Sequence, residues 1–149
     1  MADESLTQFA NEVSRFHPEL MRQFLKRQIK EISRGSISLS QMLVLDVLKE
    51  SAAMRMGGLA KELAVSMAAA TGTVDKLVKS SYVIRTSSPD DRRIVNISLT
   101  ALGKKIAEKY SQARLKTIID IFGKLSHSDR NKYLAILRKI HHHLEETKE

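Results

Sequence analysis

The stretch from Ser87 to Ile106, SSPDDRRIVNISLTALGKKI, constrains the fold more than any other part of the chain. It opens on turn-forming residues around Pro89 and carries four charges at its tip, Asp90, Asp91, Arg92 and Arg93. Ile94, Asn96 and Ser98 then alternate with Val95, Ile97 and Leu99, the two-residue period of a half-buried strand. At Thr100 the period changes and a long amphipathic helix begins. Tyr82 to Thr86 supplies a strand before the tip, so the segment predicts a basic hairpin leading straight into a helix. A β-ladder holds such a tip stiffly, which is what placing arginine in a DNA groove requires.

Charge is distributed to match. The chain has 149 residues and a net charge of +8. Residues 1–50 carry 7 Lys/Arg and 7 Asp/Glu, whereas residues 51–116 carry 12 against 5 and residues 117–149 carry 6 against 5. The basic excess therefore lies in the middle third, the pattern of a polyanion binder whose ends have another task. A hydrophobic fraction of 42% suits one domain spanning residues 1–149. No run approaches the ~18 apolar residues of a membrane span. The acidic start, Met1 to Glu4, lacks a signal-peptide layout, and the absence of cysteine excludes disulfides, thiolate metal sites and thiol redox sensing. A cytoplasmic location is expected.

Along the chain, Phe9, Val13, Phe16, Leu20, Phe24 and Ile29 mark one face of a helix over residues 5–33, with Pro18 predicting a kink or a break near His17. Gly35 and Ser36 end it. Ser38 or Ser40 caps a second helix that turns Met42, Leu43, Leu45, Val47 and Leu48 toward a core. An extended piece at Met54–Met56 and Gly57-Gly58 precede a short helix from Leu59 to Val65; Ser66 then caps another that runs to about Ser80. Two short helices joined by a tight turn give a helix-turn-helix layout. Helices over 100–122 and from Ser126 to about Thr147 complete the chain. The expected class is mainly α, an α+β winged helix-turn-helix lobe over 38–99 bracketed by helical ends over 5–37 and 100–147.

Three segments in this order resemble the MarR family of winged helix-turn-helix regulators. Leu59 to Leu77, LAKELAVSMAAATGTVDKL, has the family's helix-cap-helix pattern without a gap. Asp91-Arg92-Arg93 matches the D-x-R of the family's wing, and Ile97-Ser98-Leu99-Thr100 with Gly103 matches the family's return strand and the start of its next helix. The resemblance implies a homodimer that binds double-stranded DNA, with two recognition helices in successive major grooves about 34 Å apart. It places Ser66, Met67, Ala68, Ala69, Thr71 and Gly72 toward the groove, and Arg93 in the minor groove, its guanidinium held by Asp91. Arg85 and Arg92 are expected on phosphates, as are Lys61, Lys76 and Lys79. Leu59, Leu63, Val74 and Leu77 have core spacing.

The chain departs from relatives at two places. Met67, Ala68, Ala69 and Gly72 stand where relatives often carry arginine or other polar residues, and Ser81 replaces a glycine at the helix-to-strand turn, predicting a less tight turn there. Gly72 costs a helix about 1 kcal/mol relative to alanine, which close approach to DNA would explain, as would drift.

The apolar stripes of the two ends, Phe9, Phe16 and Leu20 in one and Tyr133, Leu134, Leu137, Ile140 and Leu144 in the other, are expected to interlock two subunits. His141-His142-His143 cannot converge on one ion, because successive helical residues point about 100° apart, so no metal is expected. His17 is expected to be packed. The resemblance implies release from DNA by a small-molecule effector, often phenolic or anionic; its identity here is open, with Met42, Met54 and Met56 as pocket candidates and plain core the alternative. No phosphate loop, nucleophile–base set or paired carboxylates indicate an enzyme, and no cofactor is implied. The expected function is a ligand-responsive transcriptional repressor; the rival is a winged-helix interaction module or nonspecific DNA-coating protein.

Strong base readout uses Arg on guanine or Asn/Gln on adenine, and the 66–72 segment has none of these. Selection from random duplexes is therefore expected to return A·T-leaning sites of modest definition. A sharply defined G·C-rich site would contradict this.

Overall fold

The computed structural model describes residues 4–32, 37–88, 91 and 93–147, although the side chains of 29, 31 and 32 are left aside. The element order is α1 (Glu4–Ile32), α2 (Leu39–Glu50), β1 (Met54–Arg55), α3 (Met56–Glu62), α4 (Met67–Lys79), β2 (Val83–Ser87), β3 (Val95–Leu99), α5 (Ala101–Phe122) and α6 (His127–Glu146). This is a mostly helical protein with one small antiparallel sheet, the winged-helix class expected. The chain divides into two compact units, residues 1–114 and residues 115–149.

The first unit forms around one core. Val44, Leu45 and Leu48 of α2, Leu59 of α3, Val74 and Leu77 of α4, Val83 of β2, and Ile97 and Leu99 of β3 are buried together with Ala107, Tyr110 and Ala113 of α5. The sheet order is β1-β3-β2, with Met54 opposite Ile97 and Arg85 opposite Ile97 from the other side. The alternation read in the sequence holds from Asn96 to Leu99, with Ile97 and Leu99 facing the core and Asn96 and Ser98 less buried, whereas Val95, nearer the tip, is exposed. Met42, Met54 and Met56 pack against this core, the plain role of methionine.

Caps set the helix starts. Ser38 closes a capping box on α2, accepting from the Gln41 backbone N–H while its own N–H donates to Gln41 Oε1 at 2.9 Å. Ser66 caps α4 by accepting from Ala69 N–H at 3.1 Å, and Ser126 caps α6 by accepting from Asp129 N–H at 3.1 Å. One boundary differs from expectation: α3 starts at Met56, so Gly57 and Gly58 lie in its first turn, where N–H groups are unpaired anyway. Of the two alternatives at Pro18, a break or one continuous helix, α1 takes the second, and His17 is exposed on it rather than packed.

Both ends of the helix-turn-helix close in the same way. After α3, Val65 N–H bonds Ala60 C=O and Ala64 N–H bonds Lys61 C=O, with Ala64 left-handed at φ 52°. After α4, Tyr82 N–H bonds Leu77 C=O and Ser81 N–H bonds Val78 C=O, with Ser81 at φ 59°. These are Schellman closures, which ordinarily employ glycine in the left-handed position. The turn at Ser81 is therefore fully closed, not loosened as the sequence suggested. The rest of the structure over-determines it: Thr100 Oγ1 donates to Ser81 C=O at 2.7 Å, and Thr100 N–H donates to Tyr82 C=O at 3.0 Å.

Gly103 completes the arrangement. Its N–H donates to Thr100 Oγ1 at 2.8 Å, and a Cβ added to it would lie 1.8 Å from the Tyr82 carbonyl oxygen. Glycine is needed here for close approach of backbone to backbone, since its φ is not positive. Polar pairs join α2 to the first part of α5 within the same unit. Lys49 Nζ meets Glu108 at 2.8 Å and Ser111 Oγ at 2.8 Å, and Arg114 pairs with Asp46. Lys49 and Gln112 donate to Glu108, and these bonds hold its carboxyl below the usual range.

In the second unit, Phe122 and Tyr133 stack with ring centroids 4.9 Å apart, and Arg130 Nη1 donates to Leu125 C=O at 3.0 Å. None of the described α6 side chains is buried; Leu134, Ile136, Leu137, Ile140 and Leu144 all face solvent. In the first unit α1 is equally uncovered, with Phe9 63% and Phe16 58% exposed.

The closure around Tyr82 makes two opposite predictions. Gly103→Ala is expected to lose about 3 kcal/mol of stability, because the clash is with backbone that cannot rotate away. Ser81→Gly is expected to gain about 1 kcal/mol by relieving a left-handed non-glycine residue. Thermal unfolding checks both, and a melting temperature unmoved by Gly103→Ala would disprove the close approach.

Candidate nucleic-acid interface

The α4 helix is built to bury one edge and offer another. Ala70, Val74 and Leu77 are buried at spacings of four and three, which fixes the rotation of the helix on the core. Ser66, Met67, Ala68, Ala69 and Gly72 are consequently exposed, and Thr71 is half-buried. Met67 is 54% exposed, a large apolar group offered to solvent at the start of a helix. The Ser66 hydroxyl accepts as the cap and keeps its proton to donate. Thr73, by contrast, donates its hydroxyl to the Ala69 carbonyl at 3.0 Å. A Cβ at Gly72 would meet nothing within 4 Å, so packing inside the chain does not require glycine there.

Around this helix stand cations with no partner among the described residues. Lys61 on α3 and Lys76 and Lys79 at the end of α4 are exposed, and their ammonium groups make no ion pair or hydrogen bond there. Arg55 belongs to the same group and was missed in the sequence, where it is one arginine between two methionines. It lies on edge strand β1 opposite Asn96, exposed beside the strand that carries the wing. Only the sheet register reveals that placement.

Arg85 differs. Its Nη2 lies 2.7 Å from Asp75 Oδ1, so the guanidinium expected on phosphate is paired with a carboxylate of α4. Asp75 and Arg85 sit on a helix and a strand that only the folded lobe brings together.

The wing extends from the β2–β3 ladder, with Val83 opposite Leu99 and Ser87 opposite Val95. Beyond it, Ser88 N–H bonds Ile94 C=O at 2.8 Å and Ile94 N–H bonds Asp91 C=O at 3.0 Å. Asp91 Oδ1 accepts from the backbone N–H of Arg93 at 2.9 Å. The observed bond of this carboxylate thus shapes the turn through the Arg93 backbone. The Arg93 side chain is exposed and makes no ion pair among the described residues. Arg92 lies outside the described residues, as do Pro89 and Asp90.

His141, His142 and His143 each face a glutamate on their own helix, at 3.3 to 3.5 Å from Glu145 or Glu146. Among the described residues no three His, Cys, Asp or Glu side chains are grouped to hold a metal ion, and no helix is long and apolar enough to cross a membrane.

Residues 37–95, from the start of α2 to the return strand of the wing, match the sequence model of the MarR family. The chain is 28% identical over 116 residues to the uncharacterized HTH-type transcriptional regulator YpoP of Bacillus subtilis, an overlap covering 68% of this chain and 82% of that one. Its fold is similar to that of a MarR family protein from Bacillus stearothermophilus, with a TM-score of 0.81 at 19% identity over 93% of this chain and 97% of that one. It is similar also to mutant MarR C80S from E. coli complexed with operator DNA, with a TM-score of 0.73 at 24% identity over 87% and 93% of the two chains.

Proposed function

The chain belongs to the MarR family of DNA-binding helix-turn-helix transcription regulators, and from that premise we propose that it is a homodimeric, ligand-responsive repressor acting on duplex DNA in the cytoplasm. One observation carries the reading. The exposed N-terminal half of α4 and the unpaired Arg93 belong to one lobe, with Lys61, Lys76, Lys79 and Arg55 free of internal partners around them among the described residues. The α4 segment enters the major groove through Ser66, Met67, Ala68, Ala69, Thr71 and Gly72. Arg93 enters the adjacent minor groove, where a narrow A·T tract concentrates negative potential. Asp91 sets the direction of Arg93 through its backbone. Lys61, Lys76 and Lys79 bind phosphates, and Arg92 extends that contact at the wing tip.

A second copy of the chain accounts for the uncovered apolar faces. Monomeric domains rarely leave long apolar stripes in water, and here α1 and α6 each do so over most of their length. The dimerisation segments are residues 5–37 and 100–147, and the lobe between them is carried in two copies. An open cleft of about 700 Å³ within the first unit, lined by Leu48 and Leu99 with Lys104, Lys105, Glu50 and Glu108, offers room for a small-molecule effector.

The interaction-module reading draws on Ala68, Ala69 and Gly72, which offer little for base readout. Comparing a duplex enriched from a random library with unselected duplex separates the two, because a module without an operator binds both alike. In an anisotropy titration Arg93→Ala is expected to weaken binding to the enriched duplex about tenfold or more, with fold and assembly retained. Unchanged affinity removes the wing from the mechanism. Sedimentation equilibrium is expected to give a dimer, and Leu137→Glu to shift it toward monomer by placing a charge in the apolar seam. A wild-type chain that sediments as a monomer at micromolar concentration defeats the dimer reading.

A further inference from the structure

The geometry points to Asp75 and Arg85 as a strut that sets the angle between the recognition helix and the wing, making both positioning residues for DNA binding rather than contacts to it. The inference rests on the DNA-binding reading above and adds to it residues that work without touching the ligand. α4 and β2 are joined covalently at one place, the closed turn at Ser80–Tyr82. The turn fixes where the two elements meet, and the shared burial of Val74, Leu77 and Val83 packs them together near that joint. The pair at 2.7 Å adds a polar attachment farther along, between the middle of α4 and the middle of β2.

Its surroundings suit that role. Asp75 lies between Val74 and Leu77, both fully buried, so this turn of α4 is anchored on the core. Arg85 lies opposite Ile97, also fully buried, in the centre of the ladder whose far end is the wing. Both side chains are partly shielded, at 34% exposed for Arg85 and 47% for Asp75. Partial shielding and a short guanidinium–carboxylate contact favour a fixed geometry over a loosely solvated pair.

Electrostatics separates the strut from a phosphate contact by sign. The pair sums to zero charge, so it adds nothing to the attraction of the lobe for a polyanion. A lone carboxylate on a helix that enters a groove would oppose binding, and its removal would strengthen binding while freeing Arg85 for phosphate. A strut predicts the reverse.

The test uses the full chain in two arms. Without DNA, amide hydrogen exchange in β2 and β3 is expected to quicken in Asp75→Asn and in Arg85→Ala. The reversed pair, Asp75→Arg with Arg85→Asp, is expected to return it toward wild type. With the duplex that wild type enriches from random DNA, Asp75→Asn is expected to bind about fivefold more weakly, with an unchanged salt slope and restored affinity in the reversed pair. Affinity that rises or stays constant in Asp75→Asn overturns the strut. So does an Arg85→Ala salt slope lowered by about one phosphate contact, or a reversed pair that recovers exchange protection without affinity. If no duplex is enriched, the DNA-binding reading fails, and unaltered exchange in both single variants then overturns the strut on its own.

Discussion

The end of α4, the start of β2 and the start of α5 all meet at one backbone carbonyl, that of Tyr82. It accepts from the Thr100 N–H, and the Cα of Gly103 rests against it so closely that no side chain fits. Thr100 meanwhile bonds the carbonyl of Ser81, the residue that ends α4 in a left-handed conformation. One small cluster therefore fixes the end of the recognition helix, the start of the wing and the start of α5. The strain at Ser81 is sustained by hydrogen bonds arriving from a segment distant in sequence, which is how a non-glycine residue keeps such a conformation.

From that reference point the lobe separates structural charges from free ones. Asp75 with Arg85, Asp46 with Arg114, and Lys49 with Glu108 are pairs between elements that hold the lobe's parts in register. Arg93, Lys61, Lys76, Lys79 and Arg55 have no such partners among the described residues. The division reflects desolvation. A cation that must meet phosphate gains most if no internal carboxylate has to be displaced first, whereas a pair that only spaces two elements is worth little to attraction. Over residues 66–72 the helix between the free cations presents methyl groups, a thioether and a glycine, with hydroxyls only at Ser66 and Thr71, and no Arg, Asn or Gln side chain.

Much of this was legible in the order of the residues. The alternation from Val95 to Leu99, the stripe of Val74 and Leu77, and the serines at 38, 66 and 126 are local signals, and each acts within a few residues of itself. Some readings failed where local rules were overridden. Ser81 was expected to slacken a turn because it is not glycine, yet Thr100 closes that turn from across the lobe. The Gly57-Gly58 pair was expected to precede α3, but it lies in the first helical turn.

The sequence by itself determined the class of fold, the basic middle third and the identity of the wing and helix, because periodicity, capping and net charge are properties of neighbouring residues. Only the tertiary structure decided that Arg85 belongs to Asp75, that Asp91 grips the Arg93 backbone, and that Arg55 stands beside the wing. It decided also that the glycine at 103 is obligatory while the one at 72 answers to nothing within the chain. Ion-pair partners and close approaches depend on how helix axes and strand register meet in space, and no spacing along a single element encodes that.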